Sequence, residues 1–127
     1  MINPINPTVE EIWEWAWDEK SLAPMEDWDI IIQNLYPAEY VKIAKLPHCP
    51  CRNYFLSLIY LYVGDSYRTN NWNRVDPLLK DHENSESHVI FNWVKQSNDL
   101  RSGKVIFNYD DWCGGKLARN ALGQNRI

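Results

Sequence analysis

Residues 54–63 read YFLSLIYLYV, and this stretch decides the fold. Nine of its ten side chains are apolar or aromatic, and Ser57 is the polar exception. A helix with this composition is apolar on every side, so other elements must surround it rather than leave it at the surface. The run has about half the length that a membrane-spanning helix needs. We therefore predict a central apolar helix at about 51–68, in the middle of a hydrophobic core.

The flanking segments carry helical signals as well. Thr8 and Glu11 form a capping-box pattern that opens a helix ending near Lys20. Met25 or Glu26 opens the next predicted helix, and the later ones fall at about 38–46, 74–83, 87–100 and 109–122, the last broken or bent at Gly114 and Gly115. Alternating strand patterns are absent from the sequence. We predict one all-α domain over 1–127, a compact bundle of about six or seven short helices.

Charge is distributed unevenly along the 127 residues. Residues 1–47 hold nine acidic and three basic side chains, a net charge of −6, whereas residues 48–127 hold eight acidic and ten basic ones. The overall charge of −4 disfavours general nucleic-acid binding, which depends on phosphate neutralisation. A basic protein partner is easier to accommodate. The opening MINPINP lacks the basic and apolar regions of a secretory signal, so we expect a cytoplasmic location.

Residues 9–20, VEEIWEWAWDEK, combine three tryptophans with five carboxylates. On a helical wheel, Trp13 and Trp17 fall in the predicted core stripe with Val9, Ile12 and Ala16. Trp15 lies at the margin of that stripe, next to Glu11. Two interpretations are open: Trp15 packs sideways under a neighbouring loop, or it is an aromatic anchor beside an acidic surface. The second predicts a partner-binding surface made of Glu11, Glu14, Trp15, Asp18 and Glu19.

In size, acidity and this aromatic-acidic segment, the chain resembles the small acidic immunity proteins that bacteria encode beside their toxins. The resemblance concerns general character, so no residue role is transferred by position. It implies a cytoplasmic inhibitor that binds one cognate toxin domain, often a basic nuclease, and occludes its active site or substrate surface. We expect no catalytic residues and no cofactor in this chain. Carboxylates of the inhibitor would then take the place of the phosphates that the toxin normally meets.

The segment PHCPC, residues 47–51, is the part of the chain that most resembles a metal site. With Cys113 it supplies His48, Cys49 and Cys51, enough ligands for tetrahedral zinc. Cys-x-Cys is tighter than the usual zinc spacing and no second pair exists, so we predict reduced, metal-free thiols. Asp65 is predicted on a buried face of the central helix, where it needs a partner such as Arg68 or helix N–H groups.

Two other functions stay open from the sequence. One is a metal- or thiol-dependent enzyme built around His48, Cys49, Cys51 and Asp65. The other is a phage-type or regulatory adaptor, which shares the binding logic of an inhibitor. The sequence itself favours a binding protein over an enzyme, because none of its candidate catalytic groups has an orienting partner at a recognisable spacing.

Overall fold

A computed structural model describes residues 6–21 and 28–123, without the side chains of residues 29 and 30. These residues form eight helices and no strand, which confirms the predicted all-α class. The helices are α1 (Val9–Trp17), α2 (Trp28–Ile32), α3 (Pro37–Ala44), α4 (Arg52–Thr69), α5 (Val75–Asp81), α6 (His88–Arg101), α7 (Tyr109–Trp112) and α8 (Lys116–Ala121). The predicted last segment becomes α7 and α8, while the predicted helix start at Met25 or Glu26 lies outside the described residues.

Helix α4 is the central element, as the apolar run predicts. It begins at Arg52, ends at Thr69, and packs against α3, α5, α6, α7 and α8. Its middle residues from Phe55 to Gly64 are buried except Ser57, which is partly exposed. Asn70 ends the helix in the left-handed conformation, with a φ of 52°. Asparagine adopts this conformation more readily than most non-glycine residues, so it is a suitable residue at a helix end.

The face of α4 near its end differs from the prediction. Gly64 lets α7 approach closely, since a Cβ atom there would lie 3.0 Å from both Cys113 Sγ and Trp112 Cβ. The prediction that Asp65 is buried is wrong, because its side chain is 39 % exposed. Asp65 borders a small open cleft lined also by Asn34 and Arg74, and it faces Arg68 Nη1 at 4.0 Å. An exposed pair of this kind contributes about 0–1 kcal/mol to stability.

Residues at the start of α4 also donate hydrogen bonds to the carboxyl ends of two neighbouring helices. The last carbonyls of a helix lack partners inside it, so they need donors from elsewhere. Arg52 Nε donates to the Ala44 carbonyl at the end of α3, at 2.7 Å. The Cys51 N–H donates to the Ala16 carbonyl at the end of α1, at 3.3 Å. Helix α1 is therefore fixed against the core at its carboxyl end.

Within residues 6–21 and 28–123, the helices are either too short or too polar to traverse a lipid bilayer. Even α4, the longest of them at 18 residues, carries charged side chains near both ends.

Candidate protein-binding surface

The orientation of α1 decides which of its side chains are available to a partner. Thr8 and Glu11 form the predicted capping box, with Glu11 N–H donating to Thr8 Oγ1 and Thr8 N–H donating to Glu11 Oε1. Ile12 and Ala16 are fully buried and mark the centre of the inward face. Trp13 is half-buried beside them, and its indole Nε1 donates to Glu39 Oε1 at 3.1 Å. The start of α1 is thus tied to α3.

Trp15 packs sideways into an aromatic cluster. Its ring centroid lies 5.1 Å from those of Trp28 and Tyr54 and 5.6 Å from that of Phe55, in edge-to-face geometry. Such pairs contribute about 0.5–1.5 kcal/mol each beyond the area they bury. This is the packed arrangement in the first of the two interpretations, and it commits Trp15 to the core between α1 and α4.

Trp17 takes the exposed position instead. The prediction that Trp17 faces the core is wrong, because its side chain is 48 % exposed. It is the last residue of α1 and lies about 100° around the helix from Ala16, beyond the edge of the buried stripe. The stripe is centred on Ile12 and Ala16 and extends toward Trp15, so its opposite margin excludes Trp17.

The predicted carboxylates fall into two groups. Glu11 serves the capping box at the start of α1. Glu14, Asp18 and Glu19 are exposed, and Asp18 Oδ1 also accepts a hydrogen bond from the Lys20 N–H at 2.9 Å. Of the five predicted partner-binding residues, the structure therefore brings these three to one exposed end of α1.

Two residues outside the predicted site complete this surface. Glu10 and Trp17 are exposed, and with Glu14 they follow the i, i+4, i+7 spacing that places side chains on one helix face. We call Glu10, Glu14, Trp17, Asp18 and Glu19 the acidic-aromatic face. A wheel centred on Ile12 and the small Ala16, rather than on the tryptophans, would have assigned Trp17 to it.

Two acidic residues of this face lie just after the carboxyl end of α1, where a helix favours basic residues. The carboxyl end of α1 carries partial negative charge and has no basic residue in its last turn. Asp18 and Glu19 follow directly, and both are exposed. Acidic groups there destabilise a helix locally, and departures from local rules are concentrated at functional sites. The end of α1 therefore departs from the local charge preference of a helix, although Asp18 Oδ1 also accepts the Lys20 N–H.

The metal-like segment has a different role in the structure. Cys49 is buried and its Sγ donates to the Ala16 carbonyl at 3.2 Å, while Cys51 Sγ lies 3.5 Å from the Trp15 carbonyl. Ser21 Oγ donates to the same Trp15 carbonyl at 2.7 Å. These thiols and the hydroxyl thus supply donors to the open carboxyl end of α1.

The proposed metal ligands are not brought together. Among the described residues, no three histidine, cysteine or carboxylate side chains form a group that could hold a metal ion. His48 is exposed, Cys113 packs beside Gly64, and Asp65 lies about 21 Å along α4 from Cys51. An enzyme centred on His48, Cys49, Cys51 and Asp65 would need these groups in one place, and the structure separates them.

The thiols are expected to react slowly in the folded protein. Burial raises the pKa of Cys49, Cys51 and Cys113, and the neighbouring Cys49 and Asp18 raise that of Cys51 further. Since the thiolate is the nucleophile, iodoacetamide at neutral pH should label the folded chain far more slowly than the urea-unfolded chain. Labelling at equal rates, or zinc that co-purifies and is lost in Cys51→Ser, would contradict this thiol assignment.

Several clefts in the described part of the molecule are small. Four of them have volumes of about 140 to 230 Å³, below the roughly 300–1,000 Å³ of typical small-molecule sites. The candidate surface on α1 is an exposed helix face and not one of these four clefts. No protein-family model matches this chain, and no curated protein or solved structure resembles it at a significant level.

Proposed function

We propose that this chain is a protein-binding inhibitor of the immunity type, which neutralises a basic, nuclease-type toxin in the cytoplasm. The acidic-aromatic face is the surface that engages the partner. The observation that supports it most is Trp17, an indole half exposed to solvent beside Glu14 and Asp18. Tryptophan anchors with charged neighbours are the usual composition of an interface hot spot.

The negative charge of the acidic-aromatic face favours a positively charged partner. Glu10, Glu14, Asp18 and Glu19 present four carboxylates within ten residues, and the first 47 residues carry a net charge of −6. Such a surface steers a positively charged protein toward it and repels an acidic one. A nuclease presents basic groups to phosphates, so carboxylates at this spacing can occupy its substrate surface.

The scaffold holds the face in place before binding. The capping box fixes the first turn of α1, and the Trp13–Glu39 hydrogen bond fixes the same helix to α3. Cys49, Cys51 and Ser21 close its carboxyl end. A surface that is already ordered loses less conformational entropy on binding, which favours affinity.

The test begins with the gene next to this one: we expect it to encode a basic toxin domain, and that domain is the ligand for a binding measurement. We expect rapid association at low salt that slows as salt rises, because charge interactions are screened over about 8 Å at physiological ionic strength. Glu14→Lys should lower the association rate about ten-fold or more at low salt, and should change the dissociation rate less. Stopped-flow or surface plasmon resonance measures both rates.

The matched control is Glu86→Lys. Glu86 is also exposed and precedes α6, and its replacement by lysine changes the net charge of the chain by the same amount. A local role for the acidic-aromatic face requires the Glu14 variant to slow association more than the Glu86 variant. Equal effects would mean that only the overall charge matters, and association independent of salt would reject the proposed surface.

A further inference from the structure

A cleft between α4 and the connection from α7 to α8 contains polar groups that the fold leaves available. Its volume is about 210 Å³, and none of its lining residues belongs to the acidic-aromatic face. Leu58, Leu61 and Tyr54 supply apolar walls, whereas Ser57 and Arg119 supply a hydroxyl and a guanidinium. Apolar walls with a few polar groups are the usual composition of a site for a small molecule.

The Arg119 guanidinium is held in position but has no acidic partner. Its Nη1 donates to the Gly114 carbonyl at 3.1 Å, which uses one of the N–H donors of the group. The ion pairs within residues 6–21 and 28–123 all involve other basic side chains. Asp110 lies near Gly114, but its side chain is exposed and does not pair with Arg119. The guanidinium therefore keeps donors with which it can bind an anion.

Ser57 is the polar exception in the apolar run of α4, and the helix does not use its hydroxyl. Ser66 and Ser97 also lie inside helices, and their hydroxyls donate to carbonyls four residues earlier at 2.9 Å and 2.6 Å. Ser57 Oγ makes no such bond within the part of the chain that the structure describes, and the residue is partly exposed at the cleft. Its hydroxyl is therefore a second donor available to a ligand.

Gly115 keeps open the space between these two donors. A Cβ atom at Gly115 would lie 3.1 Å from Arg119 Nη1 and 3.4 Å from Ser57 Oγ. The guanidinium and the hydroxyl thus converge on the place that a side chain of this residue would occupy. The φ of 80° at Gly115 also favours glycine there. An anionic oxygen in this space is within reach of both donors.

We propose that this cleft binds a small monocarboxylate with an apolar body. The carboxylate lies between Arg119 and Ser57, because a guanidinium forms strong charge-assisted hydrogen bonds with that group. The apolar body packs against Leu58, Leu61 and the Tyr54 ring. An apolar cavity of about 150 Å³ accommodates benzene. The volume of about 210 Å³ therefore suits one ring or a short chain that carries a carboxylate.

An NMR titration of the full chain with sodium benzoate tests this inference, with benzamide as the neutral probe of matched shape. We expect benzoate to give saturable shifts in the amide signals of Ser57, Gly114 and Gly115. Benzamide should bind about ten-fold more weakly or worse, because it lacks the charge that Arg119 recognises. Sodium acetate should also bind more weakly, because it lacks the apolar body. The toxin domain is absent from these measurements, so their outcome does not depend on the proposed function.

Arg119→Gln should weaken benzoate binding about ten-fold or more, and Ser57→Ala about three-fold or more. Both side chains are partly exposed, so both variants are expected to keep the parent circular dichroism spectrum. Arg74→Gln is the matched control: Arg74 also donates to a backbone carbonyl, that of Asn34 at 3.1 Å, and its replacement removes the same charge. It should bind benzoate as the parent does.

Three outcomes would overturn the inference. The first is the absence of saturable shifts at about 10 mM benzoate, ten times a dissociation constant of 1 mM. The second is equal affinity for benzoate and benzamide, which would mean that the cleft is only an apolar cavity. The third is an equal loss of affinity in Arg119→Gln and Arg74→Gln, which would mean that benzoate responds only to the overall charge.

Discussion

Replacing Trp93 by alanine is expected to lower the free energy of unfolding by about 3–5 kcal/mol, the usual cost of removing a buried large aromatic side chain. Trp93 lies in α6, is fully buried, and its indole Nε1 donates to the Ile59 carbonyl in the middle of α4 at 3.1 Å. The substitution leaves a cavity between the two longest helices and removes a hydrogen bond there. Urea denaturation followed by circular dichroism measures the change.

Phe91→Ala provides the comparison for this prediction. Phe91 precedes Trp93 by two residues on the same helix, but it is 44 % exposed. Its truncation should change stability by about 0.5 kcal/mol or less, as at most surface positions. If the two variants lost equal stability, the loss could not be assigned to the contact between Trp93 and α4, because both substitutions place the good helix former alanine in α6.

The fold was predictable where the signal is local. The apolar run at 54–63 gave α4 to within one residue at each end, because a helix without a polar side has to lie in the interior. Thr8 and Glu11 gave the start of α1 for a similar reason, since both hydrogen bonds of a capping box join residues three apart. These features depend on neighbours in sequence and need no knowledge of tertiary packing.

The partial exposure of Asp65 could not be predicted from its neighbours in sequence. Its position seven residues after Leu58 places both on one face of α4, yet Leu58 is buried and Asp65 is partly exposed. Helical periodicity gives the direction of a side chain but does not show how far along the helix other elements cover that face. By contrast, the break between α7 and α8 falls at Gly114 and Gly115 as predicted, and Gly115 adopts a φ of 80° there.

The metal-like segment shows why spacing alone misleads. Cys49 and Cys51 are close in sequence and suggest ligands, but their partners are the carbonyls of Ala16 and Trp15, more than 30 residues earlier. The unsatisfied end of α1 creates the need for donors there, and that need becomes visible only when α1 and α4 are in contact. A thiol that serves as a donor to a helix end has the same sequence signature as a thiol that awaits a metal.

The candidate site depended on the same long-range information. The sequence placed the exposed acidic surface on α1 but assigned its aromatic residue to Trp15. Phe55 and Tyr54 contact Trp15 from α4, and Trp28 contacts it from α2. Because those rings are 13 to 40 residues away in sequence, the rotation of α1 toward them could not be derived from its own periodicity. That rotation brings Trp17 to the surface.

Exchange of Trp17 and Trp15 for alanine is expected to separate binding from folding. Trp17→Ala should weaken binding of the proposed toxin partner by about 2 kcal/mol or more, the cost of removing a desolvated anchor at the centre of an interface. It should change the unfolding midpoint little, because about half of that side chain is already exposed in the free protein. Trp15→Ala should lower the free energy of unfolding by about 3 kcal/mol, since it removes three edge-to-face contacts.

The two variants carry the same chemical change in one helix, which makes their comparison informative. Isothermal titration calorimetry with the toxin domain and urea denaturation should be run on both, at a temperature where each is folded. The acidic-aromatic face requires affinity to fall mainly in Trp17→Ala and stability to fall mainly in Trp15→Ala. If Trp17→Ala binds as the parent does while folded Trp15→Ala loses affinity, the partner contacts the other margin of α1. If neither affects affinity, Glu14, Asp18 and Glu19 form an ordinary solvated surface, and the partner binds elsewhere.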